Sequence, residues 1–428
     1  MFFFIYTLGC KVNQYESEAL AERFIALGHT RADVPDGADI IVVNSCSVTA
    51  ESDRKTRQMV RRFRAAAPES VIVLCGCYPE GHQAEALSLK EADIIVGTSE
   101  KLSIPEKVEA YLKDRSAERG FASVSDDSPF ESMTVSSAGG RLRAVVKIED
   151  GCNNFCSYCI IPYVRGRVRS KPEREALAEI ESLVKSGVKE IVLSGIHLDR
   201  YGTDVKSTSI TTLLEKIDLI EGDFRVRLSS LEPVWFTPEN IDRLSRLKKL
   251  CPHFHLSLQS GSDAILARMN RRYTASEFIF AVSLIKERIA GASVTTDVIT
   301  GFPGETDEDF NQSVAVVKAC EFLKVHVFPY SERPGTKAAS MDGAVPKSVR
   351  AARARLLIKE AAEVSERFID GFIGKTAKVL IEEIKDGAAL GYTENYIYTA
   401  VSGEDLKVGD VVTVTLMKRD GDTVYASK

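Results

Sequence analysis

Short apolar runs alternate with amphipathic stretches over the N-terminal part of the chain. The apolar runs cover residues 2–7, 40–43, 71–74 and 94–96. Helical periodicity fills the stretches between them, at residues 17–27, 51–66 and, more weakly, 85–90. Strands that alternate with helices pair as a parallel sheet with helices on both faces. The pattern therefore predicts a doubly wound α/β domain over residues 1–120.

The pattern changes at residues 121–138, where serine, aspartate, glycine and proline predict a linker or edge segment. Alternation then resumes, with strand patterns at residues 144–148, 190–193, 225–228, 254–258, 294–299 and 325–328. Helical patterns between them include residues 174–185, 211–220, 275–288 and 307–320. Six repeats are too few for a closed eight-fold barrel, so residues 139–370 are predicted to form an open, partial (β/α)6 barrel. Its active site would lie at the C-terminal ends of the strands.

The C-terminal part of the chain changes character again. A basic helical pattern covers residues 347–369, and pure strand patterns follow at residues 377–382, 396–401 and 411–418. Turn signals occur at Asp386-Gly387 and at Asp420-Gly421-Asp422. Residues 371–428 are therefore predicted to form a small all-β barrel.

Composition and charge exclude several classes of protein. The 428 residues are 44% hydrophobic and 27% charged, which is typical of globular chains. The 56 Lys and Arg against 61 Asp and Glu give a net charge of −5, so any contact with RNA must come from local patches. No apolar run approaches the ~18 residues that a membrane span requires. Residues 1–10 lack the basic start of a signal peptide, and we predict that they form a strand.

Cysteine usage indicates metal or catalytic chemistry. Nine cysteines in a chain of this length are too sparse for a disulfide scaffold. With no secretion signal predicted, we expect a reducing, cytoplasmic environment, where clustered cysteines bind metal or react.

Three cysteines lie close together directly after the strand pattern at residues 144–148. Cys152, Cys156 and Cys159 form a C-x3-C-x2-C run, and Gly151 before it permits a tight loop. Three thiolates at this spacing can hold one iron–sulfur cluster and leave one iron open for a small-molecule ligand. Structural zinc is the alternative, although the spacing fits paired C-x2-C zinc knuckles poorly.

Three further cysteines are far apart in sequence but equivalent in position. Cys10, Cys46 and Cys77 each come just beyond an apolar strand. The C-terminal ends of parallel strands share one edge of the sheet, so these thiols are expected to converge there and to hold a second cluster. The alternative is three unrelated buried thiols. The other cysteines are predicted to pack in the core: Cys75, Cys251 and Cys320.

The run from Cys152 to Cys159 resembles the signature of the radical S-adenosylmethionine (SAM) superfamily. With both cysteine triads in this order, the chain resembles the methylthiotransferase family over essentially its whole length. The resemblance extends to residues 7–14, 44–49, 160–167 and 301–306. It implies an N-terminal cluster domain, a radical SAM barrel and a C-terminal barrel called TRAM.

The resemblance also implies a reaction. In the family, one SAM gives a radical at the cluster of Cys152, Cys156 and Cys159, and a second SAM methylates sulfur held at the cluster of Cys10, Cys46 and Cys77. A C–H bond becomes C–S–CH3. Two 4Fe–4S clusters, SAM, a sulfur donor and a reductant such as flavodoxin or ferredoxin are implied. The barrel positions expected to contact SAM are Ser194, Gly195, Glu232, Ser257, Gln259 and Asp297. Strand polar residues also commonly satisfy local backbone groups, which is the alternative for each.

The expected substrate is tRNA. Residues 9–17 look most like the subfamily that modifies threonylcarbamoyl-adenosine beside the anticodon. The alternatives are isopentenyl-adenosine, an aspartate of a ribosomal protein, and a non-enzymatic iron–sulfur module that binds RNA or senses a signal. Two basic patches suit phosphate contacts, although such patches are often only solvated faces. They comprise Arg165, Arg167, Arg169 and Lys171, and Lys347, Arg350, Arg353, Arg355 and Lys359.

His253 and His255 alternate on one strand face, as zinc ligands can, but no third partner is evident from the sequence. A structural or substrate-lining role is therefore the expectation for both histidines.

Overall fold

Five parallel strands form the N-terminal sheet, in the order β2-β1-β3-β4-β5. The computed structural model describes residues 1–115, 120–136 and 139–428. The strands are β1 (Phe2–Thr7), β2 (Thr30–Arg31), β3 (Ile40–Ser45), β4 (Val71–Gly76) and β5 (Ile94–Val96). The helices are α1 (Lys11–Ala26), α2 (Ala50–Ala66), α3 (Cys77–Gly81), α4 (Gln83–Ser88) and α5 (Ile104–Asp114). Alternate residues of β3 pack into two apolar clusters on opposite faces, so the predicted doubly wound sheet is confirmed.

The middle of the chain forms the predicted partial barrel. The strands of this part are β6 (Arg143–Lys147), β7 (Glu149–Asp150), β8 (Arg169–Ser170), β9 (Glu190–Ser194), β10 (Arg225–Leu228), β11 (Ser230–Leu231), β12 (His253–Gln259), β13 (Ser293–Thr300) and β14 (Lys324–Pro329). Of these, β7 and β8 form a separate two-stranded ribbon. Two parallel sheets, β6-β9-β10 and β11-β12-β13-β14, adjoin at Ser229, which gives six strand positions. All six predicted barrel strands are present.

Helices cover the outside of this barrel. They are α7 (Glu173–Lys185), α8 (Ile210–Asp218), α9 (Pro238–Leu244), α10 (Asp263–Arg268), α11 (Ala275–Arg288), α12 (Asp307–Cys320) and α13 (Lys347–Asp370), whereas the short helix α6 (Ile161–Val164) packs against α3 of the N-terminal domain. Short 3₁₀ turns lie at Lys101–Ser103, Leu198–Arg200, Pro233–Trp235 and Lys337–Ser340. Two of the helices begin with a capping box, at Thr274 and at Thr306. In each box the threonine side chain accepts from a backbone N–H that the helix leaves unpaired.

Side chains on the barrel strands alternate between two environments. On β12, Phe254, Leu256 and Leu258 join the main apolar core, and His253 and His255 occupy the alternate positions. Successive side chains of a strand point to opposite faces, so the histidines face the barrel interior, away from that core. The interior is therefore polar.

The N-terminal helix α1 and the predicted linker pack on the barrel at its edge strand β6. Tyr15 of α1 and the linker residues Met133 and Val135 belong to the same apolar core as β6. The Tyr15 hydroxyl donates to the carbonyl of Met133 at 2.5 Å. Thus Met133 and Val135 of the predicted linker are buried against both domains, the other residues of 121–136 are partly or fully exposed, and residues 137–138 lie outside the described residues.

The C-terminal part is a closed five-stranded barrel, as predicted. Its strands are β15 (Thr376–Lys385), β16 (Ala388–Thr393), β17 (Tyr398–Ser402), β18 (Val411–Asp420) and β19 (Thr423–Ser427), closed in the order β15-β16-β17-β19-β18. The turn between β15 and β16 has positive φ angles at Asp386 (50°) and Gly387 (79°). Two consecutive residues of this kind give the twist that a two-residue hairpin requires.

A buried carboxylate lies where the two barrels meet. Glu190 on β9 accepts from Arg225 at 2.6 Å and from Arg227 at 3.0 Å, and Arg143 lies 2.8 Å away. The guanidinium of Arg227 lies 4.4 Å from the ring centre of Tyr396, in the C-terminal barrel. Burial raises the pKa of Glu190, but the arginine charges outweigh this effect and lower it to about 2. We call this group the barrel floor.

Among the described residues, no helix combines the length and apolar character that crossing a bilayer requires.

Replacing Glu190 by Gln should destabilise the fold in a pH-dependent way. The folded pKa of about 2 lies below the ordinary 4.5, so the stabilisation is present above about pH 4.5 and is lost as the pH falls towards 2. Glu190→Gln should cost about 3–5 kcal/mol at pH 7, because it leaves buried arginines unpaired. Urea unfolding between pH 3 and pH 7 checks this.

The matched control is Glu215→Gln, whose carboxylate pairs with Arg243 and is 42% exposed. It should cost less than about 1 kcal/mol. A Glu190→Gln effect that stays constant from pH 7 to pH 3 would contradict the assignment of this stabilisation to the ionised carboxylate.

Candidate functional site

The loop that carries Cys152, Cys156 and Cys159 follows β7, beside the C-terminal end of β6. Gly151 has φ 84°, and a Cβ there would lie 1.9 Å from the carbonyl oxygen of Arg167. The side-chain amide of Asn270 donates to the carbonyls of Asn154 at 3.1 Å and Phe155 at 3.0 Å. The loop is therefore fixed at its start and at its centre.

An arginine and a histidine side chain contact these thiols. Arg271 Nη1 lies 3.3 Å from the sulfur of Cys156, and the guanidinium also donates to Glu232 at 2.6 Å. His197 Nδ1 lies 3.5 Å from the sulfur of Cys152. Positive groups and hydrogen-bond donors stabilise thiolates. The sequence analysis missed Arg271 and His197, because each is far from the cysteines in sequence and belongs to no motif.

The second set of thiols converges at the C-terminal edge of the N-terminal sheet. Cys10 precedes α1, Cys46 follows β3, and Cys77 begins α3 directly after β4. Burial and the neighbouring thiols of Cys77 and Cys10 raise the pKa of Cys46 to about 11. A Cβ at Gly9 would lie only 2.9 Å from the Cβ of Cys46, so this position accepts little more than glycine. The structure thus brings together three thiols that the sequence separates.

The donor set of each site fits an iron–sulfur cluster. All six thiols are free, and none lies in a disulfide. Burial, with the nearby Cys156, raises the pKa of Cys159 to about 12. Iron–sulfur clusters are held by cysteine side chains, and each site offers three of them.

The two thiol sites are neighbours across the domain interface. Cys77 packs in one small apolar cluster with Ile160 and Val164, which follow the loop of Cys152 to Cys159. Asn13 links Cys10 to Arg165, which follows the loop of Cys152 to Cys159 in the chain: Asn13 Oδ1 accepts from the thiol of Cys10 at 3.4 Å and from Arg165 at 3.1 Å.

A buried group of five charges holds this interface together. The carboxylates of Glu16 and Asp150 are surrounded by Lys101, Lys147 and Arg165, and each of the five side chains is at most 6% exposed. Arg165 Nη1 lies 2.9 Å from Glu16 and 3.1 Å from Asp150. Burial raises the pKa of Glu16, but the three cations outweigh it and hold that pKa well below its usual range. We call this group the interface ion cluster.

The prediction that these basic residues bind phosphate is wrong for several of them. Arg165 is fully buried in the interface ion cluster, and Lys171 donates to the carbonyl of Met133 at 2.6 Å and pairs with Glu179. On α13, Arg353 pairs with Glu305. These side chains are satisfied internally, because carboxylates distant in sequence pack against them. Of the five cations of α13 in this predicted patch, Lys347, Arg355 and Lys359 remain exposed.

The other basic positions lie at the edge of the site. Arg167 pairs with Asp126 at 2.9 Å, and its guanidinium lies 4.6 Å from the ring centre of Phe155. Arg169 is 3.6 Å from Asp150, and Arg350 donates to backbone carbonyls.

Most positions expected to contact SAM lie at strand ends on the side of the thiols. Ser194 ends β9, and a Cβ at the following Gly195 would lie 2.6 Å from Glu149 Oε2. Ser257 and Gln259 lie at the end of β12, where Gln259 has φ 64°. Glu232 follows β11 and is engaged by Arg271.

Glu149 is a polar group that the sequence analysis missed. Its Oε2 accepts from the backbone N–H of His197 at 2.7 Å, and its buried Oε1 has no hydrogen-bond partner among the described residues. Burial raises the pKa of Glu149 well above its usual range. The oxygen nearest Gly195 is the bonded Oε2, so the unpartnered Oε1 belongs to the same carboxyl and is suited to a hydrogen bond with a ligand.

Asp297 lies apart from the other candidates for SAM binding. It is on β13 inside the barrel, where its Oδ2 is 3.2 Å from His255 Nε2. His326 of β14 joins this pair, and the ligand atoms of the three residues lie within 4.8 Å of one another. His255 thus has two neighbouring potential ligands, Asp297 and His326, that were not evident from the sequence. His253 instead stacks on Tyr396 at the barrel floor, with 4.7 Å between ring centres.

Comparisons with known proteins agree with this architecture. The radical SAM superfamily model matches residues 146–317, and the model of an uncharacterized protein family, UPF0004, matches residues 2–97. The fold is similar to a radical S-adenosylmethionine methyltransferase, TsrM, from Kitasatospora setae, with a TM-score of 0.57 at 15% identity over 79% of this chain and 77% of that one. It is also similar to the cobalamin-dependent radical enzyme OxsB, with a TM-score of 0.54 at 12% identity over 86% of this chain and 56% of that one.

Curated relatives match nearly the whole chain. The threonylcarbamoyladenosine tRNA methylthiotransferase MtaB of Bacillus subtilis is 37% identical over 96% of this chain and 93% of its own length. The Thermotoga maritima protein of the same name is 38% identical over 97% and 95%. A tRNA-2-methylthio-N(6)-dimethylallyladenosine synthase of Pelotomaculum thermopropionicum is 36% identical over 96% and 94%. The chain therefore belongs to the methylthiotransferase family of radical SAM enzymes, which use a 4Fe–4S cluster and SAM.

Removing Arg165 should destabilise the domain interface far more than removing its neighbour Arg167. Arg165→Met leaves Glu16 and Asp150 buried with fewer cations, which should cost about 3–5 kcal/mol of unfolding free energy. Arg167→Met removes a pair whose side chains are 41% and 68% exposed, and should cost less than about 1 kcal/mol. Urea unfolding of both variants measures the difference, and equal losses would contradict the role given to the interface ion cluster.

Proposed function

We propose that this protein is a tRNA methylthiotransferase that adds a methylthio group to C2 of N6-threonylcarbamoyladenosine next to the anticodon. The observation that carries the proposal is the pair of three-thiol sites that adjoin across one buried interface. Relatives named for this reaction, at 37% and 38% identity over nearly the full length, support it.

The first site would bind the radical-generating group. Cys152, Cys156 and Cys159 would hold a 4Fe–4S cluster, with Arg271 and His197 beside the sulfurs. Ser194, Gly195, Glu232, Ser257 and Gln259, with Asp297 farther inside the barrel, are the residues proposed to contact SAM. When bound, the cluster and SAM supply an oxidant strong enough to remove hydrogen from an unactivated C–H bond. The polypeptide orients the target carbon and keeps water out.

The second site would hold the sulfur that is inserted. We assign Cys10, Cys46 and Cys77 as ligands of a second 4Fe–4S cluster that, with three protein thiolates, has one iron free for a sulfur species. Asn13 links this site to the interface ion cluster, because its Oδ1 accepts from the thiol of Cys10 and from Arg165. Because the interface ion cluster fixes α1 on the barrel, the two sites stay at one separation during turnover.

The reaction requires partners. A small reductant such as flavodoxin or ferredoxin and a sulfur donor are proposed, acting in the cytoplasm. The exposed cations Lys347, Arg355 and Lys359 of α13, together with the C-terminal TRAM barrel, are proposed to contact tRNA phosphates. Such contacts predict RNA affinity that falls steeply as salt rises.

A second candidate substrate is dimethylallyl-adenosine in tRNA. The relative from Pelotomaculum thermopropionicum, at 36% identity over 96% of this chain, is named for that reaction. Residues 9–17 favour the threonylcarbamoyl substrate, because their sequence is similar to that subfamily.

Nucleoside mass spectrometry distinguishes the two substrates. tRNA from cells that lack this protein should lose the 2-methylthio derivative of threonylcarbamoyl-adenosine and accumulate the unmethylthiolated nucleoside. Re-expression of the wild-type chain should restore it. Loss of the methylthio derivative of dimethylallyl-adenosine instead would move the substrate assignment to the second candidate.

Cysteine variants test the roles of the two sites. After anaerobic reconstitution, the wild-type chain should contain about eight irons, since each site would bind one four-iron cluster. Cys152→Ala should contain about four and should not cleave SAM. Cys46→Ala should also contain about four, but should cleave SAM without inserting sulfur.

The matched control is Cys320→Ala, which removes a buried thiol from the apolar core. It should keep about eight irons and full product formation, since Cys320 lies in neither three-cysteine site. Full product formation by Cys46→Ala would refute the proposed role of the second site.

A further inference from the structure

A loop of the barrel reaches the N-terminal domain beside Cys46. The loop covers residues 331–340, between β14 and α13, and we call it the bridging loop. Its buried residues are Arg333, Thr336 and Ala338. The Thr336 hydroxyl donates to the carbonyl of Arg333 at 2.7 Å, which closes a turn within the loop. The bridging loop therefore has a defined conformation, with one buried residue near each end.

The guanidinium group of Arg333 is buried against the N-terminal domain. Its Nη2 lies 2.5 Å from Asp53 Oδ2 and donates to the hydroxyl of Ser47 at 2.9 Å. That hydroxyl donates in turn to Asp53 Oδ1 at 2.8 Å, and His82 Nε2 lies 3.0 Å from the same arginine nitrogen. Arg333 is only 2% exposed, and a buried guanidinium group requires such partners. Because Ser47 directly follows Cys46, Arg333 holds the turn that carries this thiol.

The other end of the bridging loop holds the loop of Cys152 to Cys159. The backbone N–H of Ala338 donates to the carbonyl of Ser157 at 2.7 Å, and Ser157 directly follows Cys156. The N–H of Ser157 donates to the carbonyl of Met269 at 2.9 Å, and Ala338 packs with Met269 in one apolar cluster. The bridging loop thus joins the backbone beside Cys46 to the backbone beside Cys156.

Each cysteine of the second site has a connection to the barrel. Cys10 is linked to Arg165, and Cys77 packs against α6, as described above. The turn of Cys46 is connected through Arg333. The position of the second site relative to the first is therefore fixed at all three of its thiols.

We propose that Arg333 is a positioning residue for sulfur insertion, because it fixes the turn of Cys46 against the loop of Cys156. This inference rests on the proposed function, in which sulfur held at the second site must reach the carbon that is activated at the first. Moving one of two reacting groups by about 1 Å can cost about 100-fold in rate. Arg333 acts on this step through Ser47.

Arg333→Met should uncouple the two sites. After anaerobic reconstitution, the variant should contain about eight irons and cleave SAM as wild type does. Formation of the methylthio product should fall by about 10- to 100-fold, so the SAM cleaved per product should rise by the same factor. The KM for tRNA should keep its wild-type value, because the buried arginine orients the sulfur site and leaves RNA binding unchanged.

Arg333→Lys is the conservative variant. Asp53, Ser47 and His82 all contact one arginine nitrogen, so an ammonium group can take its place. This variant should recover most of the product formation. EPR of the reduced protein gives a readout that is independent of activity. The signal that wild type has and Cys46→Ala lacks should change shape in Arg333→Met and return in Arg333→Lys.

Two further variants separate positioning from general stability. Ser47→Ala removes the link between Arg333 and the turn of Cys46 but keeps the pair with Asp53, and it should change the same EPR signal even if Arg333→Met folds poorly. Arg353→Met is the matched control, since it removes a buried arginine whose carboxylate partners both lie in the barrel. It should keep the wild-type EPR signal and the wild-type ratio of SAM cleaved to product.

Two outcomes would overturn the inference. One is an Arg333→Met protein with the wild-type EPR signal and the wild-type ratio of SAM cleaved to product. The other is a parallel loss of SAM cleavage and product in both Arg333→Met and Arg353→Met, because a buried arginine would then matter for stability alone. In both cases wild type would still form the methylthio nucleoside. If wild type with both clusters formed no methylthio nucleoside, the proposed function itself would fail, whereas the EPR comparison would still report on the contact between Arg333 and the turn of Cys46.

Discussion

The interface ion cluster is the constraint on which the rest of the site depends. Removing five ionised side chains from water is costly unless each finds its partners in good geometry. Glu16 comes from the N-terminal domain, whereas Asp150 and Arg165 flank the cysteine loop of the barrel. One arrangement of the two domains satisfies all of these charges together. The separation of the two thiol sites is thus set by electrostatic pairing, because neither set of cysteines bridges the domains.

The fold was largely predictable because its signals are local. Runs of apolar residues and their spacing gave the parallel N-terminal sheet and all six strands of the partial barrel. The C-terminal barrel was predicted as a class, but β16 and β19 were missed. Both strands are short. In β16, residue 391 is glycine because a Cβ there would lie 1.8 Å from the carbonyl oxygen of Leu380, and a glycine weakens the strand pattern in the sequence. The convergence of Cys10, Cys46 and Cys77 followed from topology, since ends of parallel strands share one edge.

The rest of the site could not be predicted, because it depends on pairs that are distant in sequence. The sequence shows where the basic residues are, but it does not show whether a carboxylate packs against them in the folded protein. Arg165 was expected at a phosphate and is instead buried with Glu16, 149 positions away. Arg271 reaches Cys156 across 115 positions, and His326 meets Asp297 only through the register of β13 and β14.

The first two turns of α1 carry residues of both the thiol site and the interface ion cluster. Cys10 and Asn13 belong to a thiol site, and Glu16 belongs to the interface ion cluster. Each residue added to a helix turns the following side chains by about 100°. Inserting or deleting a single residue in this stretch would therefore displace the thiol site relative to the charges that dock the two domains. The length of this segment is therefore constrained as long as the thiol site and the domain interface share one helical phase.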